Sequence, residues 1–100
     1  MDKSRVLTLI GYTYTKDAIG QMIPQEHRKD VYCNISSVSA SEWFEAGANG
    51  FKPEYRATLF SYDYNGELTA ELDGVSYGIY RTYIGRNETV ELYLERKAGV

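Results

Sequence analysis

Cysteine and histidine occur once each in this 100-residue chain, as Cys33 and His27. A single cysteine excludes an internal disulfide and points to a reducing compartment. One thiol and one imidazole cannot complete a zinc site, and no Asp-rich loop has calcium spacing, so no metal or cofactor is expected. No glycine-rich phosphate loop occurs: Gly47-Ala48-Asn49-Gly50 lacks the lysine and the strand-to-helix setting. No apolar stretch approaches the roughly 20 residues that span a bilayer. Val6–Ile10 is too short for a signal-peptide core, so the expected setting is the cytoplasm, without a membrane. An excess of positive charge is missing too. The net charge is −3 and the eleven basic residues are scattered, which argues against a general nucleic-acid binder.

Tyrosine, by contrast, is plentiful, with ten among fourteen aromatic residues. An apolar ring with a polar tip suits β-surfaces that are half buried or that meet a partner. The length allows one domain, residues 1–100, with one modest core. From Pro53 to Lys97 the chain reads as a meander of four strands. Three turns are announced by Asn65-Gly66, Asp73-Gly74 and Gly85-Arg86-Asn87. The first two pairs accept the positive φ angles of type I′ hairpins. Within the meander Tyr55, Ala57, Leu59 and Ser61 share a face, as do Leu68, Ala70 and Leu72. Val75, Tyr77, Ile79, Arg81 and Tyr83 share another, and Val90, Leu92 and Leu94 face inward.

Two strands are expected earlier, over Ser4–Tyr14 and Asp30–Val38, the second with Val31, Cys33 and Ile35 inward. Between them, Thr15–Asp30 lacks a clean period and holds Gly20 and Pro24, so it is expected to be a long flexible loop. Its apolar residues Ile19, Met22 and Ile23 leave two readings open: the loop docks on a partner, or it folds back onto its own barrel. Ser39 and Glu42 have capping-box spacing ahead of a helix over 39–47, with Val38 and Trp43 at staple positions. Trp43 or Phe44 is expected to pin that helix to the sheet. Six strands have an edge problem that closure solves. The expected fold is mainly β: a small antiparallel barrel of about six strands, with one short helix and a long loop.

Catalytic readings are weak. His27 and Cys33 form a conceivable pair, but an inward cysteine is more simply an inert core residue. Glu67, Glu71, Glu88, Glu91 and Glu95 alternate outward with no sign of a shared cleft. Stacking of bases on tyrosines would need interleaved cations, and only Arg81 near Tyr80 and Tyr83, and Arg56 beside Tyr55, approach that.

The ordered segments Val31-Tyr32-Cys33, Ser36–Ala40, Glu42-Trp43-Phe44-Glu45-Ala46-Gly47 and Lys52-Pro53-Glu54 form a pattern. It continues with Asp63-Tyr64-Asn65-Gly66-Glu67, Asp73-Gly74, Tyr77, Ile79-Tyr80-Arg81-Thr82-Tyr83 and Glu91-Leu92-Tyr93. From about Arg5 to Val100, this resembles the head–tail adaptor, or head-closure, proteins of long-tailed phages and prophages. The resemblance implies a small barrel with a long loop and a short helix. It implies a virion structural protein, not an enzyme, that is made in the host cytoplasm and sits at the head–tail interface. Such proteins form a ring, a dodecamer in the family, below the portal and adaptor. The ring retains packaged DNA, lets it pass, and offers a docking surface to tail-terminator or tail proteins. The expected interface residues are Ile19, Met22, Ile23 and Arg28, and the expected helix anchors are Trp43 and Phe44. Two alternatives stand beside this one: a tail-terminator or other neck protein, and a small barrel that binds single-stranded nucleic acid.

Overall fold

The computed structural model describes residues 5–96. Ser4 and Lys97, the outer bounds expected for the first and last strands, lie outside them. The elements are β1 (Arg5–Lys16), β2 (Met22–Ser36), α1 (Ala40–Ala48), β3 (Pro53–Phe60), a 3-10 turn (Ser61–Asp63), β4 (Thr69–Leu72), β5 (Val75–Ile84) and β6 (Thr89–Arg96). All pairings are antiparallel, and the strands close into a barrel in the order β1-β2-β3-β6-β5-β4. The mainly β fold, the six-stranded closure and the single short helix match the expectation.

Alternation places the core. Leu7 and Leu9 of β1, Val31 and Cys33 of β2, and Ala57 and Leu59 of β3 point inward. So do Ala70 and Leu72 of β4, Tyr77 and Ile79 of β5, and Val90, Leu92 and Leu94 of β6. Ile35, Tyr55, Tyr64 and Val75 pack partly buried against them. Small alanines beside leucines fit a barrel too narrow to hold anything but side chains.

The expected four-strand meander is not formed. β3 pairs with β2 and β6, and β4 pairs with β1 and β5, so β3 and β4 lie on opposite walls. Their connection crosses one end of the barrel through the 3-10 turn, and Tyr64 on it packs against the core. The backbone explains why Asn65-Gly66 makes no hairpin. A type I′ turn needs positive φ at both central residues. Asp73 and Gly74 have it, at 52° and 80°, and they do join β4 to β5. At the other site only Gly66, at 84°, is left-handed. Leu68, grouped above with Ala70 and Leu72, precedes β4 and is 74% exposed. A register shift at Tyr80 also breaks the expected run of β5, because Ile79 opposes Leu94 while Arg81 opposes Tyr93. The extra residue turns Arg81 and Tyr83 away from the inward face.

The helix begins at the expected place. Ser39 accepts the Glu42 N–H at 3.1 Å. Its expected anchors do not hold, however. Trp43 and Phe44 are 54% and 69% exposed, and they pack edge to face on each other at 5.2 Å. The buried helix residues are Glu42 and Ala46. Glu42 does not complete the capping box either. Its Oε1 lies 2.6 Å from an Arg81 guanidinium nitrogen, and its Oε2 accepts the Tyr80 hydroxyl at 2.9 Å. Tyr80 in turn stacks on Phe51 at 4.8 Å. A charged clamp, rather than an aromatic anchor, holds the helix to the barrel.

Candidate functional site

The segment expected to be a loop over Thr15–Asp30 is strand for most of its length. β2 starts at Met22, and β1 and β2 run in unbroken register from Arg5↔Cys33 to Lys16↔Met22. Only residues 17–21 turn. Asp17 organises that tip: its Oδ1 accepts from Ile19 N at 3.0 Å and from Gln21 N at 2.8 Å. Its own N–H donates to Gln21 O at 3.0 Å, and Gly20 supplies the left-handed corner at φ 86°.

This hairpin outgrows the barrel. β4 covers β1 only at Thr8–Ile10, and β3 covers β2 only at Asn34–Ser36. Beyond Gly11↔His27 the two strands continue alone, for about 17 Å at 3.3 Å per residue, before the tip. The molecule accordingly measures 50 × 30 × 24 Å. Both faces of the arm meet solvent, which removes the period-2 signal that one buried face would create.

The arm carries Tyr12, Tyr14, Ile19, Met22 and Ile23, all exposed, with Ile19 at 79%. The structure therefore brings the three expected apolar interface residues onto one projecting element. Arg28 differs, since its guanidinium is already engaged at the arm's base. It donates to Glu26 at 3.0 Å on its own strand and to Glu71 at 2.9 Å across β1 on β4. The hydrogen bond and charge of Glu71 raise its pKa further. Thr8 donates to Asp30 at 2.7 Å, and Thr13 meets His27 at 2.6 Å. These cross-strand pairs hold the root of the arm in register.

The two edges of the arm are not equivalent. Pro24 stands opposite Tyr14. Without an N–H, proline fits a strand where its nitrogen points away from the partner, so it blunts the outer edge of β2. By alternation the peptide groups of Tyr12 and Tyr14 face the outer edge of β1, where β4 has ended. Beside that edge lies a groove of about 290 Å³, lined by Ile10, Tyr12, Tyr14, Glu67 and Leu68. Leu68, absent from the expected interface, is thus part of this surface. Only its departure from the β4 face could have marked it.

The other chemistry-bearing residues are dispersed. His27 sits on the arm and Cys33 in the core, six residues apart on one strand, or about 20 Å. Burial pushes the Cys33 thiol up to about 11, with Arg5 opposing. Among the described residues, no three His, Cys, Asp or Glu side chains are grouped to hold a metal ion. Arg81 is clamped to Glu42 and lies 4.6 Å over the Tyr93 ring, so it does not extend a stacking surface. Tyr55 turns inward against Tyr77, away from its neighbour Arg56. Neither arginine–tyrosine pair noted in the sequence forms a stacking platform. No helix among the described residues is long and apolar enough to cross a membrane.

No protein-family model matches the chain, and no curated protein matches it.

Proposed function

We propose that the protein is a structural adaptor that assembles through its hairpin arm: a head–tail connector component that closes the DNA-filled capsid below the portal and adaptor. The observation that carries this reading is the arm itself. A two-stranded ribbon exposed on both faces is marginal by itself in water. Yet this one exposes three apolar side chains at and beside its tip, and keeps an open backbone edge at Tyr12 and Tyr14. Such an element gains most of its stability by adding to another sheet, with its apolar side chains filling pockets there. In a ring that contact is heterologous and closes by rotation. The resemblance to head-closure proteins supplies the rest of the reading. The partners are the portal-adaptor complex above and the tail terminator or tail proteins below, and the packaged DNA passes through. The protein does its work in the virion, after assembly in the host cytoplasm, and makes or breaks no bonds. A tail terminator or other neck protein would use the same arm with the neighbours exchanged.

The test shortens the arm while sparing the barrel. Replacing Tyr14–Pro24 by Asn-Gly joins the paired residues Thr13 and Gln25, whose peptide groups face each other by alternation, with a favoured two-residue turn. The expected result is an unchanged thermal midpoint with loss of docking to a purified portal-adaptor complex. A folded variant that still docks normally overturns the reading.

A further inference from the structure

Three surfaces compete for a second role. The exposed Trp43–Phe44 pair lies on a helix face with nothing nearby to say what covers it. The groove beside β1 belongs to the arm already described. The third surface lies on the outer face of β3, between β2 and β6. It is a groove of about 440 Å³ whose lining includes Asn34, Arg56, Thr58, Phe60, Arg86 and Asn87.

Its layout follows from register. Asn34, Thr58 and Glu91 form one row across three strands. Arg56 lies one outward position to one side, opposite Ser36 and Tyr93, and Phe60 lies one to the other, opposite Thr89. From Arg56 to Phe60 the groove runs about 13 Å along β3. The β5–β6 loop brings Arg86 to the Phe60 end, and Thr89 Oγ1 donates to Arg86 O at 2.7 Å to fix it there.

The groove holds two guanidiniums in an acidic chain. Arg5, Arg28 and Arg81 are each held by a carboxylate. Arg56 pairs with no carboxylate among the described residues; its Nε donates to Ser36 Oγ at 3.2 Å, and the side chain lines the groove. Arg86 has no ion pair among the described residues. The carboxylate in the lining, Glu91, already accepts the Tyr93 hydroxyl at 3.0 Å, and Glu88 follows in the same loop. At the Phe60 end, Phe60 and Tyr62 stack at 5.3 Å with only 9° between their planes. Tyr62 is 68% exposed, so its ring can extend that stack.

We propose that this groove binds single-stranded nucleic acid. Arg56 and Arg86 meet phosphates, and a base continues the Phe60–Tyr62 stack. Two guanidiniums, one on β3 and one on the β5–β6 loop, suit a polyanion along the groove, Asn and Thr side chains supply neutral hydrogen bonds, and a parallel ring pair offers the sequence-tolerant platform that bases use. An acidic peptide would satisfy the cations but leave the rings unused. With so few cations the contact is weak and local. It does not depend on arm-mediated assembly, and each can fail without the other.

The test is a fluorescence-anisotropy titration of labelled oligothymidylate with the full chain at low salt. The expected result is saturable binding whose log–log salt slope is about −1.4, from about 0.7 per phosphate and two phosphates. Arg56→Gln and Arg86→Gln should each weaken binding roughly threefold or more, and the double variant about tenfold or more. Tyr62→Ala should weaken it without changing the salt slope, and Glu91→Gln should strengthen it. Lys52→Gln, a matched charge loss outside the groove, should leave it unchanged. Thermal melts confirm that each variant is folded. Absence of saturable binding overturns the proposal. So does binding that survives the double arginine variant, equal binding of a poly-glutamate peptide, or binding of inorganic phosphate where the oligonucleotide does not bind.

Discussion

Glu42 is the buried charged residue among those described, with 7% of its surface exposed. Burying a carboxylate is costly unless its oxygens are matched, and here both are, by Arg81 and by the Tyr80 hydroxyl. Desolvation, and then the hydrogen bond to Glu42, raise the Tyr80 pKa, so this donor keeps its proton through the physiological range. The clamp ties the helix to β5 next to the register shift at Tyr80. Glu42→Gln should therefore cost more than loss of a solvent-exposed pair. Chemical denaturation should show a loss of roughly 1–2 kcal/mol for Glu42→Gln, against no more than about 0.5 kcal/mol for Arg5→Gln, which breaks the exposed pair with Asp73. Equal losses would mean that the helix is held by Ala46 and Phe51 packing instead. The same residue shows why its role was hidden. The spacing Ser39–Glu42 is a local signal and reported the cap, whereas the partners of the Glu42 carboxylate lie 38 and 39 positions away.

At the scale of elements, the arm and the barrel wall should differ in mobility. The wall strands each have two neighbours and an apolar inner face. The outer arm is two strands with open edges and solvent on both faces. Local opening free energy follows that difference. Amide hydrogen exchange should be orders of magnitude faster for residues 12–23 than for Leu7, Leu9, Leu92 and Leu94, and it should slow on docking to a partner. Protection of the free arm equal to that of the wall would contradict the picture of an element completed by assembly. Gly20 and Pro24 are the residues that made this segment read as a loop. Each has a place in a hairpin, one at its left-handed corner and the other on an open edge. A residue-by-residue reading cannot see an edge, because an edge is defined by the strand that is missing beside it.

Across the whole molecule, several acids hold their protons more tightly when folded. Burial raises the Cys33 thiol from 9.0 to about 11, and burial likewise raises Tyr64, Tyr77 and Tyr80. For an acid with a raised folded pKa, stability is fully present below the unfolded pKa and is lost as pH climbs through the folded one. Stability should thus be flat to about pH 9 and fall between 9 and about 11, with Cys33 alone contributing on the order of 2 kcal/mol. Denaturant midpoints measured across that range check this. A midpoint constant to pH 11 would mean that the thiol ionises without unfolding. The sequence by itself determined the barrel class, the inward faces of β2, β3 and β6, the two true hairpins after Asp73 and Gly85, and the helix start at Ser39. Each of these is written in neighbours a few positions apart, through alternation, turn dihedrals or a cap. Only the tertiary structure decided that β3 and β4 stand on opposite walls, that Glu42 rather than Trp43 seats the helix, and that Arg56 and Arg86 share a groove. Those outcomes depend on which strands become neighbours when the sheet closes, and closure is a property of the whole chain.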